Sequence, residues 1–137
     1  TGEVLTAFHL EAGIAAAHAT ATAFASTDWN RVIGLYDDLL RLNSSPVIAL
    51  NRAIAVAMAR GPEAGIDAAQ AVASHPLLRE YLPLSATLGE LWLRNGEAGR
   101  AAEHFSHALG LPGNLPEKRF LLRKLEQCRR ISAHVPA

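Results

Sequence analysis

Leu88-Gly89-Glu90-Leu91-Trp92, then Gly96, then Ala101-Ala102-Glu103-His104-Phe105 with Ala108 behind it, is the stretch that decides the fold of this chain. Apolar residues at helical spacing stand on both sides of Gly96, so the stretch reads as two helices joined at that glycine. Leu88 and Trp92 supply bulk on the first helix. Gly89 marks a place where the neighbouring backbone comes close. On the second helix the small Ala101 and Ala108 let the helices interdigitate, so side-chain size at set positions is the message of the stretch.

Leu88, Gly89, Trp92, Gly96, Ala101, Phe105 and Ala108 stand at the offsets of a tetratricopeptide repeat, a helix hairpin that stacks on copies of itself and holds a partner. Two positions depart from the pattern: Ser85 stands where the first Trp is usual, and the closing Pro comes one residue early at Pro112. The fold expected from this resemblance is all-α. It is a right-handed α-solenoid of about three tetratricopeptide-like hairpins plus a C-terminal capping helix, with seven helices in one domain over residues 1–137.

Composition agrees with packed helices. Half of the residues are hydrophobic and 26 are Ala, aromatics are few, and β-branched residues do not alternate as a sheet would require. A chain of 137 residues can bury a core without metal or disulfide. Thirteen basic residues balance thirteen acidic ones, so no overall field draws the chain to nucleic acid or anionic lipid. A single cysteine, Cys128, and an opening Thr1-Gly2-Glu3 without a signal-peptide pattern point to a cytoplasmic setting and to a piece of something longer. Charges interrupt every apolar run short of a membrane span, so no membrane partner is expected.

Turn signals divide the chain at nearly regular intervals. An Ala-rich helix over about 3–24 is followed by one capped at Ser26-Thr27, with Trp29, Val32, Ile33, Tyr36, Leu39 and Leu40 on one face. Ser45-Pro46 starts a third helix, and Gly61-Pro62 stops it and starts a fourth, to Ser74. The fifth is expected from Leu77 with a break near Pro83, the sixth completes the hairpin after Gly96, and the last starts at Pro116 with Phe120, Leu121, Leu125 and Ile131 facing inward. Aligning Gly61 with Gly96 makes residues 46–79 a degenerate copy of the repeat at 82–115, with Ala53 and Ala57 at interface positions. Residues 3–45 form a divergent unit and 116–132 the cap.

Catalytic chemistry has no foothold. There is no phosphate-binding glycine loop and no nucleophile elbow, and the adjacent Asp37 and Asp38 point about 100° apart on a helix. His104 and His107, with Glu103 beside them, lack a signposted third ligand, and a lone helical Cys128 reads as a packing residue. No enzyme activity, cofactor or metal is expected. Polar residues inside apolar helices are the better clue, because burying them costs free energy unless something satisfies them. Asn51, Arg52, Glu90 and Arg94 fall on the first helices of their units, the face that lines the groove of such stacks, and His18 joins them from the first unit. The alternative for Arg52 is an internal pair with Glu11 or a helix end, and for Asn51 a turn cap. The span from Glu117 to Arg130 holds six basic against two acidic residues, leaving the rest of the chain net acidic.

Beyond the repeat, the phrases Leu10-Glu11-Ala12-Gly13-Ile14-Ala15-Ala16-Ala17-His18-Ala19, Asp28-Trp29, Leu35-Tyr36-Asp37, Ser45-Pro46-Val47, Leu50-Asn51-Arg52-Ala53-Ile54-Ala55 and Gly61-Pro62 occur together. As a set, with Glu117, Phe120 and Leu121 near the end, they resemble the C-terminal extension of a group of extracytoplasmic-function RNA polymerase sigma factors. The resemblance implies a helical domain that follows two promoter- and polymerase-binding domains and tunes the factor through protein contacts. Its expected partners are core polymerase, the other sigma domains or a regulator, with self-association open and DNA reached only through those preceding domains. His18, Asn51 and Arg52 are the polar members expected to organise the domain or its groove. The competing reading is a free-standing scaffold or a helical protein with a small-ligand groove.

Overall fold

The computed structural model describes residues 27–133, which fold as an all-α chain. Among them are α1 (Trp29–Leu42), α2 (Pro46–Arg60), α3 (Pro62–Ala73), a 3-10 turn at Pro76–Leu78, α4 (Leu82–Arg94), α5 (Ala98–Leu109) and α6 (Leu115–Ala133). The first of the seven expected helices, and His18 on it, lie outside the described residues. The described residues hold six α-helices.

The boundaries follow local chemistry. The Asp28 carboxylate accepts from the Arg31 N–H at 3.2 Å, so the cap of α1 is Asp28 and not Ser26-Thr27. Ser45 Oγ accepts from the Val47 N–H at 3.2 Å, with Pro46 opening α2. At the end of α4 the Glu97 N–H reaches the Trp92 carbonyl and the Gly96 N–H the Leu93 carbonyl, a closure that holds Gly96 at φ 80°. That φ suits a residue without Cβ. Asn114 and Glu117 satisfy each other's backbone N–H with their side chains at 2.8 Å, a reciprocal cap at the start of α6.

One expected helix is divided. Instead of a kinked helix from Leu77, a 3-10 turn ends at Leu78 and α4 begins at Leu82 with Pro83 in its first turn. Proline lacks the N–H that an interior position must donate and clashes with the carbonyl four residues back, so it fits only at a helix start.

Each helix packs against the next in the chain, and α2 also touches α4. The α1–α2 layer buries Ile33, Tyr36, Ile48 and Val56, with Trp29, Val32, Leu39 and Leu40 against them, which is the face expected for that helix. Between α2, α3 and α4 lie Leu50, Ala53, Ala69, Leu78, Leu84 and Leu88. Between α4, α5 and α6 lie Ala101, Phe105, Ala108, Leu121, Leu125 and Cys128. Trp92 packs against both of the last two clusters.

Two corrections fall on α6. Ile131 is 41% exposed, because the 19-residue α6 outruns the 12-residue α5 that covers its inner face. Lys124 is only 8% exposed, a buried cation that the inward apolar pattern did not announce.

Candidate functional site

Small residues set how closely the helices approach. A Cβ on Gly89 would stand 2.6 Å from the Phe105 ring, and one on Gly65 would stand 2.4 Å from Ala57 Cβ. Gly89 and Ala57 thus let α5 and α3 close onto the helices before them. Ala53, Ala101 and Ala108 are fully buried at these contacts.

That packing places the polar residues of α4 between two other helices. Arg94 Nη1 donates to Met58 Sδ of α2 at 3.6 Å, while Glu90 receives Lys124 Nζ of α6 at 2.8 Å. Arg94 Nε also lies 3.6 Å from Glu90 Oε1. A continuous strip therefore runs from Met58 through Arg94 and Glu90 to Lys124, across α2, α4 and α6. Lys124 Nζ further stands 5.7 Å from the centre of the Phe120 ring.

The other polar candidates have different surroundings. Asn51 is 3% exposed and turned into the protein, so its side chain is not presented to a partner. Leu50 and Ala53 beside it are fully buried, so residue 51 lies on the inward side of α2. Arg52 is half-buried and pairs with Asp37 of α1 at 2.7 Å. Among the described residues that carboxylate satisfies it, while Glu11 lies outside them, so Asp37 belongs to an interhelical pair where the sequence suggested a solvated face. Glu90 is committed to Lys124 and Arg94, leaving the guanidinium of Arg94 as the most accessible of the described members of the expected groove set.

Lys124→Ala is expected to lower unfolding free energy by about 1–3 kcal/mol, because it strands a partly buried carboxylate. Urea denaturation followed by circular dichroism measures the loss. The pair Glu90→Leu with Lys124→Met, which keeps volume and removes both charges, should recover most of it.

Cys128 is buried beside this pair, and burial pushes its thiol above the usual range, opposed by Lys124 and reinforced by Glu90. An activated thiolate needs the opposite shift. Burial likewise holds His104 below the ordinary histidine value, with Glu103 opposing that shift and His107 adding to it. Among the described residues no group of three His, Cys, Asp or Glu is placed to hold a metal ion. No helix among them is long and apolar enough to cross a membrane.

A concavity of about 300 Å³ was not foreseen from the sequence; its walls include Glu63, Asp67 and Gln70 of α3 with Trp92, Glu97 and Arg100. Arg100 lies 4.7 Å from the Trp92 ring centre and 3.5 Å from Glu97, so its charge is held on the wall. The i, i+4, i+7 spacing of Glu63, Asp67 and Gln70 was the available sign that these residues share a face.

Among known proteins, the chain is similar to an uncharacterized protein of Rhizobium meliloti (strain 1021), with 34% identity over 119 residues. The match takes in 87% of this chain and 28% of that protein, so the chain spans well under half the length of its relative. No protein-family model and no solved structure matches.

Proposed function

We propose that this chain is a tetratricopeptide-like regulatory domain that binds protein through the face shared by α2, α4 and α6, and that it serves as the C-terminal domain of an RNA polymerase sigma factor. The strip from Met58 through Arg94 and Glu90 to Lys124 carries the reading, since it aligns every second helix, as a right-handed stack of hairpins would. Support for hairpin stacking also comes from a close approach within each hairpin, at Gly65–Ala57 with the glycine on the second helix and at Gly89–Phe105 with it on the first. The sigma-factor part rests on the sequence phrases around Asp28, Ser45 and Asn51, several of which fall at cap and core positions. The length of the relative accords with a domain embedded in a larger protein.

In this reading the first helices present Arg94 and the Arg52–Asp37 pair to the partner, and no step of chemistry is asked of them. Core RNA polymerase is the first partner to test, by pull-down with the 137-residue chain and with the complete gene product. Arg52→Ala with Arg94→Ala should weaken capture by roughly tenfold or more while helicity stays unchanged. Unchanged capture would remove the groove from the reading, and a gene without an upstream polymerase-binding region would remove the sigma factor.

A further inference from the structure

The basic residues of α6 divide into two groups. Lys118 Nζ donates to the carbonyls of Leu109, at 2.6 Å, and Leu111, closing the end of α5. Lys124 is buried against Glu90. The remaining four, Arg119, Arg123, Arg129 and Arg130, are exposed, and none makes an ion pair among the described residues. The packing of the described residues leaves these four guanidinium groups on the surface.

Their placement is ordered. Arg119, Arg123 and Arg130 follow i, i+4, i+11 spacing and so lie along one line of the helix, opposite the buried Leu121, Leu125 and Cys128. Beside that line Leu115 and Leu122, seven residues apart, are 60% and 57% exposed, with Arg129 continuing their row. The exposed Glu126 lies between the two lines, so the face carries four basic groups against one acidic, and a net-basic face with leucines seven residues apart is what one helix shows to another laid along it. Arginine can pair with carboxylates while its stem covers apolar surface, so the flanking charge adds to the contact.

We propose that the outer face of α6 is a docking surface for an acidic amphipathic helix of another protein, one carrying leucine-like residues at seven-residue spacing and Glu or Asp beside them. Charge complementarity selects the acidic partner, and the two exposed leucines select a protein over a polyanion, since a phosphate backbone leaves them wet. The surface is separate from the α2–α4–α6 strip, and the inference does not depend on what that strip binds.

The test is fluorescence anisotropy of the 137-residue chain with a labelled synthetic helical peptide of alternating Leu and Glu turns. Comparators are the same peptide with Leu replaced by Ser, polyglutamate, and a short DNA duplex. Binding of the Leu/Glu peptide is expected to exceed that of each comparator, and Arg119→Glu, Arg123→Glu and Arg130→Glu together should weaken it by roughly tenfold or more. Leu122→Ser alone should weaken it by about fivefold and, as an exposed change, leaves folding intact. The proposal is overturned if the peptide does not bind, if polyglutamate or the Ser peptide binds equally, or if DNA binds more tightly. It is also overturned if both variants bind as the parent does, or if sedimentation shows a dimer that the triple variant abolishes, which would give the face to a second copy.

Discussion

Phe105→Ala is expected to produce the largest single loss of stability in this chain, about 3–5 kcal/mol. The ring is fully buried between α4, α5 and α6, in a cluster with Ala101, Ala108, Leu121, Leu125 and Cys128. Alanine would remove the side chain that fills the space left by Gly89 and by the small residues around it. The cavity cannot collapse easily, because α4 and α5 are held at their junction by the Gly96 turn. A domain of ordinary stability has about 5–15 kcal/mol to lose, so the variant should remain helical but unfold at much lower urea. Urea titration by far-ultraviolet circular dichroism reads both quantities, and a loss under about 1 kcal/mol would show that Phe105 does not organise the α4–α6 core.

Gly89→Leu should approach that cost from the opposite side, at about 3 kcal/mol. A Cβ alone would come within 2.6–2.9 Å of three atoms of the Phe105 ring, and the ring has no exposed edge through which to move away. Gain in helix propensity from replacing glycine returns about 1 kcal/mol and does not offset the overlap. Since both changes act on one contact, Gly89→Leu with Phe105→Ala should be less damaging than the sum of the two by about 1–3 kcal/mol. Additivity would mean that the glycine and the ring do not share the space inferred for them. The same comparison of denaturation curves gives the coupling.

These two residues also explain why the fold was legible. Gly89, Phe105, Ala101 and Ala108 are constrained by steric fit, and steric fit at fixed helical spacing is written directly into residue size. The cap at Ser45 and the turns at Gly61 and Gly96 are legible for a related reason, since each depends on the hydrogen-bonding or φ preference of one residue. Where two local preferences compete the sequence is less decisive, as at Leu77 to Pro83, where apolar spacing favours one helix and proline chemistry divides it.

The candidate site was legible in part. Placing Glu90 and Arg94 on one helix needed only their four-residue spacing. What each of them faces needed the path of the chain: Lys124 is 34 residues from Glu90 and Met58 is 36 from Arg94. Arg52 was expected in the groove, with an internal pair as the alternative, and its pairing with Asp37 follows from the crossing of α1 and α2, which no spacing rule contains. Asn51 shows the limit most plainly, for its polarity suggested a groove while its position in the turn put it inside.

The sequence by itself determined that this is a helical chain, where most of its described helices begin and end, and which faces of them are apolar. These properties arise from interactions within a few residues. Tertiary structure alone decided which charges are consumed inside the protein, as Lys124 and Lys118 are, and which remain on its surface, as Arg119, Arg123 and Arg130 do. The physical reason is that a charge acquires its role from groups brought near it in space, and the helices that bring them are joined by turns whose geometry sets distances far along the chain.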